Sequence, residues 1–175
     1  MPNPASMPSE RWAIDLSKEN FKFSAAHFLI FPDGSAERLH CHNYRVTCEI
    51  EGRLTEHGLV LDFKLVKPVV RELCDWLDEH WLVPAEHPLL RASEREGGIV
   101  EVRYLDRYYA APREDVILLP INNTSSENLA SWFGRELRQR LRRHFPEAQL
   151  IRLRLSVEET SGQRGVYYWQ DDNQG

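Results

Sequence analysis

Apolar and polar residues alternate along three stretches of this chain, and along two others apolar residues recur at three- and four-residue steps. A period of two marks a half-buried strand, because successive side chains leave opposite faces; a period near 3.6 marks an amphipathic helix. The first alternating stretch comes as two runs, Trp12, Ile14, Leu16 and then Phe21 and Phe23, and predicts a hairpin ending near Phe28. A turn at Pro32-Asp33-Gly34 leads into a long alternating run from Leu39 to Leu54. With Gly58 and the short apolar run Leu59 to Phe63, that run predicts a second hairpin. Leu150 to Val157 and Val166 to Trp169, on either side of Gly162-Gln163-Arg164-Gly165, predict a third.

Leu65, Val66, Val69, Val70, Leu73, Trp76 and Leu77 fall on one helical face and predict a helix over about 64–80. Thr124-Ser125-Ser126-Glu127 has the spacing of a capping box, in which the Thr hydroxyl and the Glu carboxylate each satisfy a free backbone N–H. It opens a second helix with Leu129, Trp132, Phe133, Leu137 and Leu141 on its apolar face. Between the helices, an insertion over about 83–123 carries two further apolar runs, Ile99 to Tyr104 and Val116 to Leu119. A connection of that length is usually functional or has a small structure of its own. Strands, helix, insertion, helix, strands is the order of an α+β domain, an antiparallel sheet with two helices on one face. The domain is placed at 11–171, behind a proline-rich tail over 1–10.

Composition narrows the function classes. The chain has 175 residues, 22 Lys and Arg against 27 Asp and Glu, and a net charge of −5. This acidic balance speaks against a general nucleic-acid binder, and the run of arginines from Arg135 to Arg143 reads as a solvated helix end that suits the helix dipole. Every apolar stretch is interrupted well short of the roughly 20 residues that a membrane span needs. The N-terminus has no basic-then-apolar segment, so a cytoplasmic protein is expected. Cys41, Cys48 and Cys74 form an odd set without a CxxC spacing and are expected to be reduced thiols.

The chemistry concentrates in histidines. His40 and His42 flank Cys41 at the start of a predicted strand, so their imidazoles share one face and the thiol takes the other. His27 ends an earlier strand run, from which it can join them at one zinc ion with bonds of about 2 Å. Three neutral imidazoles and an open position make a catalytic rather than a structural zinc site.

Phe23-Ser24-Ala25-Ala26-His27, Leu39-His40-Cys41-His42-Asn43-Tyr44, Asp62-Phe63, Thr124 to Ala130 and Glu159-Thr160 occur in one order. Together they resemble the 6-pyruvoyltetrahydropterin synthase family, which includes the 6-carboxytetrahydropterin synthases. The resemblance implies the tunnelling fold, in which sheets of several subunits close into a barrel with active sites at subunit interfaces. It further implies a homohexamer built as a dimer of trimers, zinc on His27, His40 and His42, and 7,8-dihydroneopterin triphosphate as substrate. Glu159 occupies the place of the glutamate that grips the pterin ring, where a carboxylate can accept two parallel N–H bonds.

Departures from the family pattern are equally informative. The family's catalytic cysteine position holds Ala36, while Glu37 stands three residues before His40. That spacing resembles a variant with an ExxHxH motif, in which the glutamate is the acid/base and the product is 6-hydroxymethyl-7,8-dihydropterin, a folate precursor. The missing cysteine speaks against the 6-pyruvoyl product and the 6-carboxy product of queuosine synthesis. Relatives carry Leu-Asp-His where this chain has Leu77-Asp78-Glu79, with His80 one residue later. Asp78 is thus the expected relay residue, and His80 can assist only if the helix end unwinds, since one residue turns a helical side chain by about 100°. Cys41 is expected to face away from zinc as a packed small hydrophobe. A non-catalytic zinc-holding oligomer that binds a pterin or purine as sensor or scaffold is the alternative reading.

Overall fold

The computed structural model describes residues 10–171, so the tail expected over 1–10 lies outside the described residues except for Glu10. Strands β1 (Trp12–His27) and β2 (His40–Gly52) form the longest antiparallel pair, and β8 (Leu150–Thr160) and β9 (Gln163–Gln170) continue the sheet beyond β2. Helices α1 (Phe63–Leu77) and α2 (Ser126–His144) cover one face. The antiparallel sheet with its two helices is therefore as expected. Two short strands, β3 (His80–Pro84), which runs into the start of the insertion, and β7 (Val116–Leu119) within it, extend the sheet in parallel, giving the order β7-β3-β1-β2-β8-β9. The rest of the insertion builds a second, three-stranded sheet from β4 (Leu90–Arg95), β5 (Ile99–Tyr104) and β6 (Arg107–Pro112).

The first predicted hairpin is one strand instead. Trp12 to Ser17 and Lys22 to His27 both pair with β2, and the residues between them are taken up by a register shift. A bulge of this kind bends a strand without reversing it. The short run Leu59 to Phe63 is not a strand either: Asp62 caps α1 by accepting the Lys64 N–H at 2.7 Å. At its far end α1 stops at Leu77, earlier than the predicted 80, because Asp78 is extended and Glu79 turns left-handed (φ 59°). The capping residue of α2 is Ser125, which accepts from the Asn128 N–H at 3.3 Å, one position later than the motif predicts.

Two apolar clusters result. The main one lies between the sheet and the helices and includes Phe21, Phe23, Tyr44, Val70, Leu73, Phe133, Leu137 and Leu155. The close seating of α2 on β9 depends on small residues: a Cβ at Gly165 would lie 2.2 Å from the Glu127 nitrogen, and one at Gly134 would lie 2.2 Å from the Tyr167 ring. The second cluster joins the insertion to the end of β1 through Phe28, Ile30, Trp81, Val102, Tyr104 and Val116. Among the described residues no helix is long and apolar enough to cross a membrane.

Candidate active site

Strand pairing brings the three histidines together. His27 lies opposite His40, and Ala25 opposite His42, so the alternation of β1 and β2 sends all three imidazoles to the helix-covered face. One ligand nitrogen from each lies within 4.8 Å of the others. His40 Nε2 and His42 Nε2 face each other at 2.9 Å, too close for two lone pairs without a proton or cation between them.

Backbone carbonyls set the ring orientations. Thr124 O lies 3.1 Å from His27 Nδ1, and Arg38 O lies 2.8 Å from His40 Nδ1. Protons on those nitrogens leave Nε2 as the free base on each ring, which is the usual outer support of a metal-binding histidine. His27 is fully buried, and its Nε2 makes no hydrogen bond of good geometry. Burial also holds its pKa below the ordinary value, against the opposing pull of the Glu159 charge, which keeps the ring neutral. A buried, unsatisfied nitrogen is costly alone, and a metal ion would satisfy it. The three histidines thus fit a metal site with side-chain nitrogen donors.

Two carboxylates border the cluster. Glu159 Oε1 lies 3.2 Å from His27 Nε2 and 3.9 Å from His42 Nε2, and it accepts the Tyr44 hydroxyl at 3.2 Å. Burial, reinforced by Glu159, drives the Tyr44 pKa far upward, so Tyr44 is a fixed proton donor. Its neighbour Glu158 turns to the other face and pairs with Arg164 at 2.7 Å. Glu37 Oε2 stands 3.9 Å from His40 Nε2 and accepts the Leu29 N–H at 3.1 Å.

Asp78 and His80 lie apart from the cluster. Asp78 Oδ1 accepts the Ser24 N–H at 2.6 Å, beside a cleft that also holds Lys22, Asn43, Arg45 and Arg71. The helix end does unwind, and His80, now the first residue of β3, donates from Nδ1 to Asp78 O at 2.5 Å. It borders a cleft of about 330 Å³ with Cys41 and Trp81. Cys41 points away from the histidines, but it is exposed rather than packed, at the rim of a cleft that it shares with Trp81 and Ala111. A larger cleft of about 430 Å³, on the open face among Arg11, Glu49, Glu51, Arg152 and Arg154, contains none of the histidines.

Thr124 is the site residue whose role the sequence disguised. Its hydroxyl donates to Phe28 O at 3.0 Å and its carbonyl holds His27, while Ser125 does the capping. The capping signal marked the right turn but assigned it a different task.

The sheet, its helices and the cluster of three histidines match the α+β tunnelling fold. A structure of the Plasmodium falciparum 6-pyruvoyl tetrahydropterin synthase superposes with a TM-score of 0.85 at 25% identity, covering 93% of this chain and all of that one. The Plasmodium vivax synthase matches equally well, with a TM-score of 0.85. A Methanocaldococcus jannaschii protein provisionally named a 6-carboxy-5,6,7,8-tetrahydropterin synthase is 33% identical over 147 residues, 83% of this chain and 88% of its own length. The Haemophilus influenzae 6-carboxy-5,6,7,8-tetrahydropterin synthase is 34% identical over 90 residues, 48% of this chain and 58% of its own. The model of the 6-pyruvoyl tetrahydropterin synthase family matches residues 15–170, and the chain belongs to that family. It is a lyase of the tetrahydropterin synthase type.

Proposed function

We propose that this lyase is zinc-dependent and acts on the side chain of 7,8-dihydroneopterin triphosphate, giving 6-hydroxymethyl-7,8-dihydropterin. The carrying observation is the Glu37 carboxylate 3.9 Å from His40 Nε2 beside three convergent imidazoles, with alanine at the preceding position. Two solved Plasmodium vivax relatives are variants in which a glutamate described as a catalytic residue is replaced by alanine or cysteine, which supports a carboxylate in this role.

His27, His40 and His42 would hold the zinc, which when bound supplies Lewis-acid polarisation of the substrate's side-chain oxygens. Glu37 takes the proton of the C2′ hydroxyl as the C1′–C2′ bond breaks and returns it to C1′, the triphosphate-bearing two-carbon fragment leaving as an aldehyde; the Leu29 N–H holds Oε2, the oxygen nearest His40. Glu159 accepts the pterin N–H groups, and Tyr44, which stays protonated, steadies that carboxylate.

Asp78 and His80, which this chain holds outside its own cluster, serve the site of an adjacent copy in a homohexamer of two trimers. The open sheet face and the uncovered strand edges of β7 and β9 fit an assembly that closes them. Mass spectrometry of products formed by zinc-loaded protein from 7,8-dihydroneopterin triphosphate tests the reading, and a 6-hydroxymethyl product is expected.

A further inference from the structure

The insertion contributes nothing to the metal cluster, yet two of its side chains end on the loop that carries Glu37. Tyr104 and Arg107 are directly opposed where β5 turns into β6. The turn between them puts Leu105 in the left-handed region (φ 51°), a conformation two-residue hairpin turns normally assign to glycine. Opposed residues share a face, and here both reach the same loop. The Tyr104 hydroxyl donates to Gly34 O at 2.8 Å, Arg107 Nη2 donates to Ala36 O at 2.6 Å, and Arg107 Nη1 donates to Glu37 O.

From the opposite side, the Glu37 N–H donates to Leu29 O at 3.0 Å, while its carboxylate accepts the Leu29 N–H. The peptide on either side of Glu37 is therefore clamped, once by Leu29, two residues past β1, and once by the insertion. Tyr104 is fully buried in the cluster with Phe28, Ile30 and Trp81, which anchors the hairpin that presents Arg107. A guanidinium suits this task because its planar fork satisfies two neighbouring carbonyls at once, whereas an ammonium is a single point donor.

We infer that Arg107 is a positioning residue for Glu37, holding the Ala36 and Glu37 carbonyls so that the carboxylate stays beside His40. The inference rests on Glu37 being the acid/base. The hydrogen bonds of the Arg107 guanidinium go to backbone carbonyls, so its loss should lower turnover and leave pterin binding as it was.

The test measures kcat and KM of zinc-loaded protein on 7,8-dihydroneopterin triphosphate for Arg107→Ala, Arg107→Lys, Glu37→Gln and the double variant Glu37→Gln/Arg107→Ala. A displacement of about 1 Å can cost about 10²-fold, so Arg107→Ala is expected to lose about 10- to 100-fold in kcat with KM little changed. Arg107→Lys should recover part of that loss, and in the Glu37→Gln background Arg107→Ala should cost nothing further. Hydrogen exchange gives a readout independent of activity: the Glu37 amide should exchange faster in Arg107→Ala, and also in Arg107→Lys should the alanine variant not fold. Wild-type kcat in Arg107→Ala, an equal loss in the Glu37→Gln background, or unchanged exchange at Glu37 would overturn the inference. Full activity in Glu37→Gln would instead overturn the acid/base reading on which it rests.

Discussion

His27 and His40 are register partners on adjacent antiparallel strands, and each has its Nδ1 held by a backbone carbonyl, Thr124 O and Arg38 O respectively. The pairing sets the distance between the rings, and the carbonyls aim both Nε2 atoms at a common point that His42 also faces. Metal content should therefore depend on all three. His27→Ala, His40→Ala and His42→Ala are each expected to hold well under about a tenth of a zinc equivalent after dialysis. Cys41→Ser, on the other face, should keep the full content in the same metal analysis.

Thr124 supports His27 through its main chain and is fixed in turn by its hydroxyl on Phe28 O. Thr124→Val keeps the shape and removes that bond, leaving a buried carbonyl unpaired. The expected cost is about 1–3 kcal/mol in denaturant unfolding. Zinc affinity should also fall by about 10- to 100-fold in competition with a chelator, since outer-shell partners orient the ligand.

Both helices and the long strands of the main sheet are readable because their periods survive in single side chains, whereas β3, β4 and β6 are too short or too mixed in polarity to show one. The HxH pair is an example: alternation alone put His40 and His42 on one face with Cys41 on the other. Trp12 to His27 was misread as a hairpin because Ser17 to Asn20 is a polar break, and composition does not distinguish a bulge from a turn. The Leu59 to Phe63 run has strand composition, but Asp62 makes it a helix entry. Contributions made through the backbone were invisible, as with the Thr124 carbonyl on His27. So were bonds between distant segments, such as Arg107 to residues 36 and 37.

On the open face, Glu51 is buried between Arg11, whose Nε donates at 2.8 Å, and Arg152 at 3.6 Å. The Arg11 hydrogen bond holds the Glu51 pKa below its ordinary 4.5. A carboxylate depressed on folding stabilises the protein above its unfolded pKa, and that contribution is lost as pH falls through the folded value. Arg11→Ala should accordingly lower Tm at neutral pH, and the gap from wild type should close as pH falls below about 4.5. A gap that persists unchanged at low pH would show that the pair does not act through this charge.

Among the described residues the sheet ends in two edge strands, β7 and β9, and its face away from the helices carries charged residues around Glu51. Sedimentation at about micromolar concentration should give a homohexamer. A monomer would contradict the proposed role of Asp78 and His80 at a neighbouring site.

The proposed mechanism makes Glu37 the group that transfers the side-chain proton beside a zinc ion held by His27, His40 and His42. Its most direct test compares zinc-loaded wild type with Glu37→Gln on 7,8-dihydroneopterin triphosphate, products being followed by mass spectrometry. Wild type should form 6-hydroxymethyl-7,8-dihydropterin, and Glu37→Gln should retain zinc while losing about 10² to 10⁴ in rate. Glu159→Gln should differ by raising KM as well. Wild-type turnover in Glu37→Gln, with an inactive Cys41→Ala beside it, would contradict that mechanism.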